Sequence, residues 1–158
     1  MGVKYVHYGS KHFDPLRFTP VSNQEVLTKP KGGFWASPIG CKFGWKEWCE
    51  REGFADCDLE NSFTFTLSED ANILHLNSVD DLDNLPRAKH RFSVKSAWAQ
   101  LDFEKLYESG IDAIQLNLSE EVCTDISNGL YFRLYGWDCD SILVMNKDVI
   151  SIPTEANK

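Results

Sequence analysis

Apolar and polar residues alternate most regularly over residues 62–67, where Phe63, Phe65 and Leu67 are separated by Thr64 and Thr66. An alternation with period two is typical of a half-buried β-strand. The short apolar stretch that follows at residues 72–76 is predicted to be the partner of this strand. Four further short apolar runs are predicted to be strands, at residues 4–8, 34–37, 113–118 and 141–145.

Helical spacing of apolar residues is clearest at residues 43–51, where Trp45, Trp48 and Cys49 recur at intervals of three and four. Three more helical segments are predicted: one that starts at the capping box of Ser78 and Asp81 and ends before Pro86, one that carries Val94, Trp98 and Leu101, and residues 102–109 before Gly110. Residues 9–31 and 119–129 are predicted to be loops. Because strands and helices do not alternate strictly, an α+β fold is favoured over a doubly wound sheet.

Composition and charge limit the function classes. The chain has 158 residues, 42% apolar and 25% charged, with no repeat, so we expect one domain over residues 1–158. Sixteen basic against twenty-four acidic residues give a net charge of -8, which disfavours non-specific binding to nucleic acids. No signal peptide, membrane span or zinc-type cysteine spacing is recognisable, and the five cysteines favour a reducing cytoplasm without a metal.

Three separated segments carry the chemistry-bearing residues: residues 5–10 (Y-V-H-Y-G-S), 32–37 (G-G-F-W-A-S) and 138–146 (D-C-D-S-I-L-V-M-N). In this order they resemble the three signature regions of the ADP-ribosyltransferase superfamily, which includes diphtheria toxin and the poly(ADP-ribose) polymerases. Residues 103–114 resemble the helix, turn and strand that small members place before the last region. The resemblance implies a split mixed β-sheet with short flanking helices and NAD as a substrate.

The first region of the family supplies a His that bonds a ribose hydroxyl of NAD and a small residue whose backbone holds the nicotinamide amide. The resemblance gives these roles to His7 and Gly9 and places Tyr8 and Ser10 in the same NAD site. Many members have H-G-S or H-G-T, whereas this chain has H-Y-G-S, so Tyr8 is an alternative occupant of the His position. Taken alone, His7 is equally well explained as a buried, hydrogen-bonded strand residue.

The second region supplies an aromatic ring that stacks on nicotinamide, beside a small polar residue. Trp35 and Ser37 match it, with Trp where Tyr is usual, and a Trp face attracts a cationic pyridinium better than Tyr does. Phe34 is expected to point to the opposite face of the strand. Trp45 or Trp48 is expected to form a second aromatic wall, although each of these tryptophans is individually consistent with an ordinary core position.

The third region is an acidic residue that opens a strand, often within E-x-E. The resemblance makes Asp140 the catalytic carboxylate that stabilises positive charge on the ribose, and Asp138 a residue for target recognition, as in arginine-modifying members. Both acids are one methylene shorter than Glu, and because they are two residues apart they are expected to face the same side of the strand. From the residues alone, both are equally explained as turn residues that cap free amides, and Glu120 and Glu121 are alternative acids.

The resemblance implies an enzyme that cleaves the nicotinamide glycosidic bond of NAD and transfers ADP-ribose to a macromolecular target, expected to be a protein. With water as the acceptor, the same chemistry would be that of an NAD glycohydrolase. A non-catalytic module of the same fold that binds NAD or a partner in an aromatic cleft stays open, since a fold does not determine an activity. The related RNA 2′-phosphotransferases need a basic cluster, and here Lys and Arg are only scattered.

Overall fold

Seven strands form one mixed sheet flanked by three short α-helices in the computed structural model, which describes residues 2–89, 98–118 and 129–153. The α+β class expected from the sequence is confirmed. The strands are β1 (Tyr5–Tyr8), β2 (Phe34–Pro38), β3 (Ser62–Leu67), β4 (Ile73–Leu76), β5 (Ala113–Leu116), β6 (Ser141–Val144) and β7 (Ile150–Ser151). The α-helices are α1 (Trp45–Glu52), α2 (Phe103–Glu108) and α3 (Leu130–Arg133), and 3₁₀ turns occupy Pro15–Arg17, Leu59–Asn61, Val79–Leu82 and Lys147–Val149.

The strand order is β4-β5-β6-β2-β1-β3-β7, with β4 and β5 parallel and every other neighbouring pair antiparallel. The prediction that residues 72–76 pair with β3 is wrong, because β3 pairs with β1 and β7 while β4 pairs with β5. The chain turns away after β3, where the Ser68 N–H donates to the Val149 carbonyl. The Asp112 carboxylate then accepts the Asn72 N–H and fixes the start of β4 beside β5.

The two faces of the sheet bury separate apolar clusters, because successive side chains of a strand point to opposite sides. The first face carries Trp35 and Leu143, which lie opposite each other on β2 and β6, and packs against α2 through Phe103. The second face carries Phe34 and Val144, which are also opposite each other. Phe34 therefore points away from Trp35, as the sequence predicts.

Local signals place most helices within a residue or two of their predicted bounds. The Gly53 C-cap, with φ of 60°, ends α1, and the Asp102 side chain accepts the Lys105 N–H at the start of α2. The capping box at Ser78 starts the 3₁₀ turn Val79–Leu82. None of the helices in the described ranges has the length and apolar character that a bilayer crossing requires.

The helical prediction for Trp98 and Leu101 is wrong for residues 98–101. Leu101 forms an isolated antiparallel bridge with Arg87, and the Ala99 N–H donates to the carbonyl of Arg133. The backbone of this stretch therefore forms hydrogen bonds with other segments and not within a helical turn. The helix α3 was not predicted. Three residues singled out from the sequence, Val94, Glu120 and Glu121, lie outside the described residues.

Candidate functional site

A cavity of about 260 Å³ opens where β1 and β2 separate. These strands pair only through Tyr5–Pro38 and Val6–Ser37, whereas β1 stays paired to β3 as far as Tyr8 and β2 stays paired to β6 from Phe34 onward. This main cavity is lined by Val6, His7, Tyr8, Lys29, Trp35, Ala36, Ser37, Trp45, Gly136, Trp137, Asp138, Cys139 and Ser141.

All three segments singled out from the sequence reach the main cavity, because β6, β2 and β1 are neighbours in the sheet. Of the predicted site residues, the lining includes His7, Tyr8, Trp35, Ser37, Trp45 and Asp138. It does not include Gly9, Ser10, Trp48 or Asp140.

Aromatic rings form two walls of the main cavity. Trp137 meets the Trp35 ring edge-on, with 4.8 Å between ring centroids and an interplanar angle of 75°. On the other side, Trp45 stacks on Trp48 at 5.0 Å and 16°, so Trp48 lies behind Trp45 and supports it. Trp45 therefore provides the second aromatic wall for which the sequence offered two candidates.

His7 borders the main cavity, but its ring packs on the opposite face of the sheet from the Trp35 ring. The imidazole lies 4.5 Å from the Phe34 ring and 5.5 Å from the Phe63 ring. Its Nδ1 lies 2.7 Å from the Trp35 carbonyl oxygen, which can only accept, so Nδ1 carries the proton. Burial lowers the pKa of His7, against the opposing effect of its hydrogen bond to the Trp35 backbone.

Tyr8 shares a face with Trp35, as the alternation of side chains requires. Val6 lies opposite Ser37 across the β1 and β2 pair, and Tyr8 and Trp35 are each two residues further along on the same side. The resemblance places an imidazole and an aromatic ring in one cleft. In this sheet the imidazole of His7 contacts the backbone of Trp35, and Tyr8 is the aromatic residue of the first segment that shares a face with the indole, beside the apolar Val6.

Gly9 and Ser10 belong to a second cavity of about 340 Å³ at the end of β1. Gly9 has φ of 108°, a conformation that favours glycine, and its N–H donates to the Asn61 carbonyl at 2.8 Å. His7 borders both cavities. The second cavity is lined by His7, Gly9, Ser10, His12, Phe13, Asp14, Arg17, Phe18, Gly33 and Phe34.

Asp140 is 7% exposed and forms a hydrogen-bonded hub beside the main cavity. Its Oδ1 accepts the Leu118 N–H at 2.5 Å, and its own N–H donates to the Phe43 carbonyl at 2.8 Å. Its carbonyl accepts the Ser37 hydroxyl at 3.0 Å, and that hydroxyl accepts the Trp45 N–H at 2.9 Å. Burial raises the pKa of Asp140, against the opposing effect of hydrogen bonds from backbone N–H groups. The hub joins β2, the start of α1 and the chain beyond β5.

Asp138 is half-buried and lines the main cavity. Burial raises the pKa of Asp138, while the nearby Lys29 ammonium opposes that rise. Because β6 begins at Ser141, both acids precede the strand. The expectation that Asp138 and Asp140 face the same side of a strand is therefore wrong, since only Asp138 lines the cavity.

Two of the cavity residues that were not predicted from the sequence bring a charge or a hydrogen-bond donor to the site. Lys29 lies in the predicted loop 9–31, and its Nζ is 4.3 Å from the centroid of the Trp35 ring. Trp137 directly precedes Asp138, and its indole Nε1–H is buried without a hydrogen-bond acceptor among the described residues. The sequence signals were weak: Lys29 is next to a proline in a polar stretch, and Trp137 follows a glycine.

No group of three or more His, Cys, Asp or Glu side chains is placed to hold a metal ion within the described ranges. Comparison of the chain with family models, with curated proteins and with solved structures found no match.

Proposed function

We propose that this protein is an NAD-dependent ADP-ribosyltransferase that cleaves the nicotinamide glycosidic bond and transfers ADP-ribose to a protein. One observation carries the proposal. The three sequence segments that resemble the family signatures lie on or next to three neighbouring strands, β1, β2 and β6, and all reach one cavity at the point where β1 and β2 part.

The contents of the main cavity support nicotinamide as the group bound there. The Trp35 face already holds a cation at 4.3 Å, and a pyridinium ring is a planar cation of the kind that such a face attracts. The buried Nε1–H of Trp137, for which the described part of the chain offers no acceptor, is a donor that a carboxamide oxygen would satisfy. A volume of about 260 Å³ suits one end of a dinucleotide rather than all of it, since sites for whole drug-sized ligands span about 300–1,000 Å³.

In the proposed reaction, the bond between the ribose C1′ and the pyridinium nitrogen breaks, and its electron pair leaves with neutral nicotinamide. Positive charge develops on C1′ and the ring oxygen, and a fixed carboxylate stabilises that charge more in the transition state than in bound NAD. The acceptor nucleophile then forms its bond to C1′ and loses a proton. Water in place of a protein nucleophile would give NAD hydrolysis.

We assign the carboxylate of this step to Asp138, which lines the main cavity. The resemblance alone points to Asp140, but Asp140 is almost fully buried, and its Oδ1 is already bonded to the Leu118 N–H. In this proposal, Asp140 is a positioning residue that fixes Ser37 and, through it, the Trp45 wall.

The test incubates the protein with a lysate from the host cell and with NAD that is labelled in its adenine ring. Two quantities are measured: the nicotinamide released, and the label transferred to macromolecules. We expect release together with label in protein. Asp138→Asn should lower release by about 100- to 1,000-fold, the usual effect of removing one group that stabilises transition-state charge. Asp148→Asn, an exposed acid beyond the far end of β6, is the matched control and should have full activity.

Each alternative gives a distinct result in this assay. Nicotinamide release without label in macromolecules would identify water as the acceptor. A binding module without catalysis is the second candidate, because Asp140, the acid that matches the family signature, already accepts the Leu118 N–H with its carboxylate. It would show saturable quenching of tryptophan fluorescence by NAD without any release of nicotinamide.

A further inference from the structure

Lys29 occupies the face of Trp35 in the cavity described above. Its Nζ lies 4.3 Å from the centroid of the indole ring, within the range of a cation–π interaction. Lys29 and Asp138 both line the main cavity, where burial lowers the pKa of Lys29 and raises that of Asp138, and the charge of each group opposes the shift of the other. Among the described residues that line the main cavity, Lys29 is the one Lys or Arg side chain, and it lies on the indole face of Trp35.

The backbone around Lys29 is held in place by one contact within its own loop and by contacts with two distant parts of the chain. The Gln24 side-chain amide donates to the Lys29 carbonyl at 2.7 Å. The buried Thr28 hydroxyl donates to the Tyr135 carbonyl, and the Gln100 side-chain amide donates to the Leu27 carbonyl at 2.8 Å. The attachment point of Lys29 is thus fixed at the cavity, while its four-carbon side chain has the freedom to move out.

We infer that the main cavity selects planar organic cations and that Lys29 is its internal competitor, occupying the position of the ligand's positive charge until the ligand displaces it. This inference deepens the proposed function, on which it rests, by assigning the nicotinamide end of NAD to the position that Lys29 holds. A cationic ring replaces both interactions of the ammonium, one with the Trp35 face and one with Asp138. A neutral ring replaces neither charge interaction.

The displaced ammonium stays close to the cavity because its backbone does not move. It therefore repels a bound cation but not a bound neutral ring of the same shape. Removing the charge of Lys29 should consequently help a cationic ligand more than a neutral one. This difference separates competition by charge from simple filling of space.

The experiment is a calorimetric titration of the full chain with two small probes, N1-methylnicotinamide, which is cationic, and nicotinamide, which is neutral. For Lys29→Gln, which removes the charge and shortens the side chain by one atom, we expect the cationic probe to bind about threefold to thirtyfold more tightly than in the unmodified protein, as expected for loss of a competing cation–π interaction. The neutral probe should gain less. Lys29→Arg retains the charge and should give no gain, and Lys31→Gln is the control at an exposed lysine of the same loop.

Unchanged or weaker binding of the cationic probe to Lys29→Gln would overturn the inference, as would equal gains for both probes or no binding to any variant. Neither probe can be turned over, so the result is independent of the proposed reaction. If NAD is not cleaved but the charge-dependent gain is observed, the proposed function fails and the internal competitor stands. If NAD is cleaved and Lys29→Gln binds the probes like the unmodified protein, only the inference fails.

Discussion

Replacement of Asp140 by alanine removes the acceptor of the Leu118 N–H, which lies in a residue that is only 6% exposed. A buried donor left without a partner costs about 1–3 kcal/mol. In a chain of 158 residues, each kcal/mol corresponds to a shift of roughly 2–4 °C in the melting temperature. We therefore expect Asp140→Ala to melt about 4–8 °C below the unmodified protein, from a central loss of about 2 kcal/mol.

Asp140→Asn is the matched variant, because an amide oxygen can still accept the Leu118 N–H. The loss of a charge-assisted bond costs about 1 kcal/mol, and removal of a buried charge offsets part of that. Thermal unfolding followed by circular dichroism measures both variants. If Asp140→Ala melts within about 1 °C of the unmodified protein, or if the two variants are equally destabilised, Asp140 does not act as the hub described above.

The stability of the unmodified protein and that of Asp140→Asn should depend differently on pH, because the pKa of Asp140 is raised in the folded protein. Burial raises the pKa of folded Asp140 above its ordinary value of 3.8, so the folded protein holds this proton more tightly than the unfolded chain does. The stability contributed by this proton is complete below pH 3.8 and is lost as the pH rises through the raised pKa. Asp140→Asn has no such loss, so its stability relative to the unmodified protein should improve between about pH 4 and pH 7.

Three further predictions concern the turn before β2, the start of α1 and the cavity. Gly32→Ala would place a methyl group against a backbone oxygen of the preceding loop, whereas Gly40→Ala meets nothing within 4 Å. Both positions have positive φ, so alanine adds a backbone strain of about 1–2 kcal/mol at each. Gly32→Ala should therefore lose more stability than Gly40→Ala on chemical denaturation, and equal losses would contradict the steric clash at Gly32. Ser37→Ala leaves the first N–H of α1 without its acceptor and should cost about 1–3 kcal/mol in the same measurement; an unchanged midpoint would contradict this. If Asp138 must be ionised for nicotinamide release, Lys29→Gln should shift the acid limb of the pH–rate profile to higher pH, because the charge of Lys29 lowers the pKa of Asp138. An acid limb at unchanged pH would show that Lys29 does not act on the pKa of the catalytic acid.

The strands could be predicted from local patterns, but their neighbours could not. Alternation located β3, and continuous apolar runs located β5 and β6. All four residues of β5 are buried, which is the pattern of an interior strand that needs a neighbour on both edges. The sequence places residues 72–76 next to β3 along the chain, and this proximity favoured a hairpin. The complete burial of β5 was the better indication, because such a strand needs a second neighbour and β4 is that neighbour.

The site could be predicted only as far as it is built from strands. The segments 5–10, 32–37 and 138–146 were recognisable because each joins a strand to polar or aromatic residues. Lys29 was not recognisable, because the path of its loop is set by long-range contacts such as the hydrogen bonds of Thr28 with Tyr135 and of Gln100 with Leu27. No local pattern of apolar and polar residues encodes such contacts.

The assignment of the two acids depends on where β6 begins. Within a strand, residues two apart face the same side, and by that rule Asp138 and Asp140 would have equal access to a ligand. The strand starts at Ser141, so the rule does not reach either acid. The Asp140 N–H turns instead to the Phe43 carbonyl, outside the sheet, and its carboxylate is drawn to the end of β5. Sequence patterns locate the ends of strands less precisely than the strands themselves, and here the position of that end decides which acid meets the cavity. A loss of nicotinamide release in Asp138→Asn at unchanged stability, beside a loss of stability in Asp140→Ala, would establish that division of roles.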